Sequence, residues 1–135
     1  MDLRHPKLLS AYGVVVDLEK PLWFVTEHSP TETSLLSLSS EEFPLERIKR
    51  MVVDVLQGLN YLHRNGLVHG NLNPSCIYSE GHYFRIGEYF NLHLKMAVKD
   101  LSGGMNYKAP EVRYALPTSS ADIWSLAVIT IELIQ

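Results

Sequence analysis

Leu67-Val68-His69-Gly70-Asn71-Leu72-Asn73-Pro74 lies between a long amphipathic pattern and a pair of short apolar runs. Its apolar start and polar middle read as a loop rather than a regular element. Before it, Leu45, Ile48, Val52, Val55, Leu59 and Leu62 recur in steps of three and four. That spacing lays one apolar stripe along a helix, with Pro44 suited to its first position. Arg47, Lys49, Arg50, Asp54 and Asn60 fall off the stripe, and the three cations read as a solvated face. Asn65-Gly66 closes the helix, glycine suiting the left-handed position past its end. After the loop, Ile77-Tyr78 and residues 83–86 read as short strands around a turn at Glu80-Gly81.

Further out, residues 8–17 and 22–26 are strand-like and are joined by a turn over 17–21, which predicts a hairpin. Ser29-Pro30 breaks the pattern, and a short helix is expected around 33–38. Residues 88–107 are irregular, with Ser102-Gly103-Gly104 as a flexible point. Ser119-Ser120 offers an N-cap for a last helix over 121–134. That helix is apolar nearly all round, so central burial is expected. Both ends of the chain read as cut within a pattern.

The bulk properties exclude several classes. The 135 residues suit one domain or part of one. A formal net charge of -3 gives no footprint for nucleic acid or a membrane surface. The apolar stretch 123–134 is interrupted and falls short of the roughly 20 residues a spanning helix needs, so no membrane insertion is expected. One cysteine excludes an internal disulfide framework and suggests a reducing, cytoplasmic setting.

The quoted loop is similar to the catalytic loop of eukaryotic protein kinases, H-R-D-L-x-x-x-N. Other landmarks follow in order. Phe84-Arg85-Ile86-Gly87-Glu88-Tyr89-Phe90 resembles the strand and D-F-G that open the activation segment. Tyr107-Lys108-Ala109-Pro110-Glu111 carries an A-P-E. Ser120-Ala121-Asp122-Ile123-Trp124-Ser125 resembles the start of the central kinase helix. Upstream, His5-Pro6-Lys7-Leu8-Leu9 resembles the loop before the fourth strand, and residues 22–27 the fifth strand and hinge. The resemblance implies an α+β, partial protein-kinase-like fold. Residues 1–28 would be the end of the N-lobe, with strands four and five and the hinge. Residues 29–135 would be part of the mainly helical C-lobe, through the central helix.

The resemblance also implies that the chemistry is altered. In an active kinase the loop Asp accepts the substrate proton, and the loop Asn and the D-F-G Asp hold Mg²⁺. Asn71 stands at the base position, and an amide has no site that titrates near neutral pH. Asn73 stands where a phosphate-steadying Lys is usual. Cys76 stands at the Mg-binding Asn, where a thiol suits a hard cation poorly. Glu88 keeps the D-F-G charge on a longer arm. Loss of general-base help alone costs about 10²–10⁴ in rate. Gly70 removes the Arg that pairs with a phosphorylated activation loop, and Phe90 replaces the D-F-G Gly. Thr26 aligns with the gatekeeper, and Glu27 and His28 with the hinge. Tyr78 falls beneath adenine and is expected to crowd a nucleotide there.

Bland roles compete at each position. His69 reads as an internal packing residue beside Tyr89 and Ala11 rather than a catalyst. Asn71 reads as a structural hydrogen-bonding group. Cys76 reads as a buried small residue, and Glu88 as a solvated carboxylate with residual metal ligation as the alternative. Asp122 is expected to hold the loop backbone. Ala109, Pro110, Glu111 and Trp124 are structural landmarks, and Ser102 and Tyr107 candidate phosphorylation sites. No intact catalytic set and no metal site is expected, and ATP with Mg²⁺ enters only as a weak ligand. The expected function is a pseudokinase regulatory or scaffolding module that binds other proteins. The alternative is a weak or non-standard ATP-dependent Ser/Thr kinase. Val25-Thr26-Glu27-His28, Val55-Leu56-Gln57-Gly58-Leu59 and Gly81-His82 resemble segments of TBC-domain-containing kinase-like proteins. That likeness implies a small GTPase or signalling complex as partner, reached through neighbouring domains.

Overall fold

Helix α2 (Leu45–Arg64) organises the chain. The computed structural model describes residues 4–17, 20–27, 33–38, 43–89 and 118–135, and for the strands between 11 and 25 the backbone alone. His28, Phe90, Ser102, Tyr107, Ala109, Pro110 and Glu111 lie outside the described residues. Strands β1 (Ala11–Asp17) and β2 (Lys20–Thr26) pair antiparallel as the predicted hairpin. Strand β3 (Thr33–Ser34) leads into the single turn α1 (Leu35–Leu38). After α2 come the loop, a 3₁₀ turn (Pro74–Cys76), β4 (Ile77–Glu80) and β5 (Tyr83–Ile86). Helix α3 (Ser119–Ile134) is the last element.

The second sheet runs β3-β4-β5, antiparallel throughout. Thr33 and Ser34 therefore pair with Ser79 and Tyr78 instead of starting the expected helix. The β4 edge supplies ladder partners, which a four-residue turn cannot match. On the other edge, Ile86 donates to the Lys7 carbonyl at 2.8 Å and accepts from Leu9 at 2.9 Å. This ties the segment before β1 to β5. The hairpin turn sits at Gly81-His82, one residue later than expected, because Gly81 takes a φ of 62°.

Helix α2 buries Ile48, Met51, Val55, Leu59 and Leu62 against this sheet and α3. Leu45, placed on the stripe by spacing, is exposed on the first turn. Pro44 occupies the cap position, at φ −61° and ψ 150°, rather than the first helical one. Gly66 at φ 77° accepts the left-handed bend past Asn65. Asp54 is the main surprise, fully buried with no side-chain exposure. Its Oδ2 accepts the Phe84 amide at 3.0 Å, and Lys7 Nζ and Arg50 Nη1 lie 3.2 and 3.6 Å from Oδ1. A charge is accommodated in a core when amides and cations replace its water. Arg47 also leaves the solvated face. Its guanidinium donates to Ser79 Oγ at 2.7 Å and lies over the Phe43 and Phe84 rings.

Helix α3 departs from expectation at both its cap and its faces. The N-cap is Thr118, not the Ser119-Ser120 pair, which is already helical. Ala121, Asp122, Ser125, Leu126 and Ile129 are buried, whereas Ile123, Trp124, Ile131 and Ile134 are exposed. Among the described residues α2 covers one face of α3, so all-round apolar character does not yield all-round burial. Ser125 and Thr130 return their hydroxyls to the carbonyls four residues back, which satisfies them in apolar surroundings. No described helix is long and apolar enough to cross a membrane.

Gly58 marks where α2 approaches β5. A Cβ there would lie 2.9 Å from Ile86 Cδ1, 3.2 Å from the Lys7 carbonyl oxygen and 3.3 Å from Leu8 Cδ2. Alanine gains up to about 1 kcal/mol of helix propensity over glycine, but overpacking costs about 1–3 kcal/mol. The backbone contact cannot swing aside as a side chain can. Gly58→Ala is therefore expected to lower the urea midpoint of unfolding, and an unchanged or raised midpoint would show that the interface yields.

Candidate functional site

The loop between α2 and the 3₁₀ turn hangs on Asp122. This residue sits in the first turn of α3, 1% exposed. Its Oδ2 accepts the His69 amide at 2.8 Å and its Oδ1 accepts the Gly70 amide at 2.9 Å. His63, near the end of α2, places Nε2 2.8 Å from Oδ2. A single carboxylate thus joins both helices to the loop. Gly70 makes the arrangement possible, because its φ of 80° is a region that side chains disfavour.

His69 is buried and points the other way. Its Nε2 lies 2.8 Å from the Gly87 carbonyl, and the Asn71 amide donates to Nδ1 at 3.3 Å. A carbonyl only accepts, so Nε2 carries the hydrogen and Nδ1 offers its lone pair. Both roles belong to the neutral ring. Burial drives the His69 pKa below its ordinary 6.5, against the opposing pull of Asp122, the Gly87 carbonyl and Glu88. The ring serves as a spacer between the loop and the segment that follows β5. Tyr89 is also buried, and its hydroxyl donates to the Leu9 carbonyl at 2.5 Å.

Asn73 is consumed by the loop itself. Its Oδ1 accepts the Ser75 amide at 2.9 Å and caps the 3₁₀ turn, and it also accepts the Ser75 hydroxyl. Its Nδ2 donates to the Asn71 carbonyl at 2.8 Å. Asn71 Oδ1 is buried with no hydrogen-bond partner among the described residues. Such an orphan costs about 1–3 kcal/mol where nothing answers it.

Cys76, Tyr78 and Glu88 converge. Cys76 Sγ lies 3.5 Å from Glu88 Oε2 and 3.5 Å from the Asn71 carbonyl oxygen. Tyr78 Oη lies 3.5 Å from Glu88 Oε1. Glu88 is thus a half-buried carboxylate facing a thiol and a phenol, not a solvated one. Its φ of 59° makes it the one described non-glycine residue in the left-handed region. Strain of this kind persists where surrounding contacts dictate the backbone. Here the Gly87 amide is held by the Cys76 carbonyl at 2.8 Å and the Gly87 carbonyl by His69. Burial, then the Glu88 charge, push the Cys76 thiol up to about 12, so it stays protonated. A thiol in that state is no nucleophile. The Tyr78 ring crowds Gly87, where a Cβ would come within 3.0 Å of Tyr78 Cε2 and of Leu9 Cδ1.

The positions aligned with the hinge are tied elsewhere. Glu27 Oε1 accepts the Ser10 amide at 2.7 Å and Arg85 Nη1 at 3.0 Å, and Arg85 Nη2 reaches Glu80 at 3.0 Å. Burial raises the Glu27 carboxyl, but the Ser10 amide and the Arg85 guanidinium outweigh it and hold the pKa below its usual range. Thr26 is half-buried at the end of β2, paired with Ala11. Trp124 lies on the exposed side of α3.

The protein kinase domain model matches residues 1–135. The serine/threonine-protein kinase pakE of Dictyostelium discoideum is 30% identical over 98% of this chain and 15% of that protein. The membrane-associated tyrosine- and threonine-specific cdc2-inhibitory kinase wee-1.3 of Caenorhabditis elegans is 32% identical over 75% of the chain and 16% of its own length. The human serine/threonine-protein kinase TAO2 is 28% identical over 98% of the chain and 11% of its own length. The chain belongs to the protein kinase domain family and spans a small part of these relatives.

Kinase chemistry uses Mg²⁺, a hard ion that requires oxygen ligands in near-octahedral order. A buried, protonated thiol at one ligand position does not fit it. Among the described residues no group of three or more His, Cys, Asp and Glu gathers to replace it.

The neutrality of His69 has a pH signature. Its folded pKa lies below 6.5, so between the two values the unfolded chain binds the extra proton. Stability is then full above about pH 6.5 and falls with acidification until the folded pKa is passed, at most by about 1.4 kcal/mol per pH unit. Unfolding free energy measured by urea denaturation is expected to drop between pH 7 and 5.5. His69→Gln, which keeps a hydrogen-bonding group but does not titrate, is expected to flatten part of that slope.

Proposed function

We propose that this chain is part of a pseudokinase, a regulatory or scaffolding module with little or no Mg-dependent phosphotransfer. The observation that carries this reading is Asn71 at the position of the proton acceptor. Its amide cannot take a proton near neutral pH, and its backbone carbonyl is already engaged by Asn73 and the Cys76 thiol. Asn73 spends its side chain as a turn cap, so it is not available to steady a phosphate. The Mg²⁺ position carries Cys76. Loss of the base costs about 10²–10⁴ in rate, and the misfit at the metal compounds it. The loop clamped by Asp122 supports this reading, because a held scaffold beside an altered site is what a binding module requires.

A cytoplasmic location, and partners among small GTPases or signalling complexes reached through neighbouring domains, belong to this reading. They are supported by the single buried cysteine and by the TBC-type likeness of the quoted segments. A second reading, a weak or non-standard ATP-dependent Ser/Thr kinase, draws on the relatives' own description as kinases and on the carboxylate retained at Glu88.

Phosphotransfer by the full-length protein, in Mg-ATP with generic and peptide-array substrates, is expected to equal that of an Asn71→Ala, Glu88→Ala control. Transfer above the control would replace the pseudokinase reading with the kinase one. The Tyr78 ring, seated on Gly87 beneath the nucleotide position, is expected to limit ATP binding. Tyr78→Leu should then raise the thermal shift produced by ATP, whereas an equal shift in both proteins would remove Tyr78 as the obstacle.

A further inference from the structure

Tyr83 opens β5 directly after the exposed turn Gly81-His82, and 57% of its surface meets solvent. A single exposed ring needs no explanation. The charges around this one do. Lys7 Nζ stands 4.4 Å from the ring centroid and Arg50 Cζ 5.9 Å from it. The ring also borders an open recess of about 420 Å³, whose other walls are Pro6, Lys7, Glu80 and Arg85. Cations from three elements thus gather beside one phenol: Lys7 from the segment before β1, Arg50 from α2 and Arg85 from β5.

The three are not equally committed. Lys7 is 14% exposed and lies 3.2 Å from Asp54. Arg85 reaches Glu27 and Glu80, both at 3.0 Å. Arg50 is half exposed, and its approach to Asp54 is long, at 3.6 Å. Asp54 already accepts the Phe84 amide at 3.0 Å, and Lys7 supplies its opposite charge. Arg50 is therefore a second cation on a carboxylate that one cation balances. It can turn toward the outer edge of the Tyr83 ring without stripping the buried Asp54. Glu80 is the carboxylate on the wall of the recess, and Arg85 offsets it.

We propose that Tyr83 is a phosphorylation site for a separate tyrosine kinase, and that its phosphate is received by Arg50 and by the cationic wall of the recess at Lys7. In the step, Tyr83 Oη attacks the γ-phosphorus of ATP held by that enzyme. The new O–P bond forms as the bond to the bridging oxygen breaks, ADP leaves, and the phenolic proton passes to the enzyme's base. A phosphotyrosine brings about −1.5 to −2 charges and three strong acceptor oxygens. Arginine suits it, because the guanidinium fork pairs with phosphate through two parallel hydrogen bonds. A phosphate so held ties β5 to α2 and to the segment before β1. The inference does not rest on the pseudokinase reading, since the phosphate comes from another enzyme.

Native full-length protein and a free peptide of residues 77–89 are each incubated with Mg-ATP and a broad-specificity tyrosine kinase, beside samples lacking that enzyme, and the modified positions are mapped by mass spectrometry. Expected is phosphate on Tyr83 in both, only where the enzyme was added, and none there in Tyr83→Phe. Phosphorus NMR then follows the second ionisation of the phosphate, whose ordinary midpoint is about pH 6. That midpoint is expected to hold in the peptide, to fall in the native protein, and to move back in Arg50→Gln, while Arg50→Lys keeps most of the fall. Arg50→Ala serves if the glutamine variant does not fold. Modification of the peptide alone, or of neither, overturns the proposal, because the hydroxyl is then no acceptor in the folded chain. An equal midpoint in protein and peptide, or one indifferent to the loss of Arg50, overturns it too, because the phosphate then faces water. Phosphate on Tyr83 without the added enzyme overturns the assignment to a separate kinase. Transfer by this protein to other substrates would defeat the pseudokinase reading and leave a positive Tyr83 result standing.

Discussion

The carboxylate of Asp122 accepts two successive loop amides, from His69 and Gly70, and meets His63 from the helix that precedes them. Removing it would strand three donors from two elements, the loop and α2, at once. Each unanswered buried donor costs about 1–3 kcal/mol, a large fraction of the 5–15 kcal/mol by which a domain is ordinarily stable. The clamp also fixes direction. With both amides turned toward α3, the His69 ring is left to face Gly87, and the residues after it are delivered to the site.

From that clamp the site assembles in a chain of short links. His69 holds the Gly87 carbonyl, and the Cys76 carbonyl holds the Gly87 amide. Together they hold the peptide just before Glu88, whose backbone takes its left-handed turn. Asn73 caps the 3₁₀ turn that carries Cys76. In the proposed reading, the scaffold of a kinase site is preserved while its chemical groups are exchanged. An amide stands for the base, a thiol for a metal-binding amide, and a phenol occupies the ground beneath the nucleotide position. This contrast is intelligible because the two sets of residues answer to different forces. The clamp answers to the folding of the loop, whereas the residues at the aligned chemical positions are held by local contacts, Asn73 as a turn cap and Cys76 in the core.

Much of the fold was legible in the residues. The steps of three and four along α2, the Asn65-Gly66 stop and the two hairpins follow from local periodicity and turn chemistry. The role of Asp122 followed from family resemblance, not from pattern. What local pattern missed were residues whose partners lie far away in the chain. Asp54 reads as a surface charge until the Phe84 amide and Lys7 are brought to it across the fold. Arg47 reads as solvated until Ser79 and two aromatic rings arrive. Thr33 and Ser34 are helix-like until β4 offers them a ladder.

The sequence by itself determined which side chains stand at each landmark of the loop: an amide, Asn71, at the position aligned with the base, and a thiol, Cys76, at one aligned with a metal ligand. Identity decides that, since an amide cannot become a base through folding. It also determined the family, because ordered landmarks across the whole chain have no local substitute. Only the tertiary structure decided that Cys76 and Glu88, twelve positions apart, face each other at 3.5 Å, that Tyr78 lies against Gly87, and that α3 buries one face although its composition would permit more. Those outcomes depend on distance and direction between β4, β5 and the helices. Such quantities are set by packing and hydrogen bonds that cross the fold, and no window of neighbouring residues contains them.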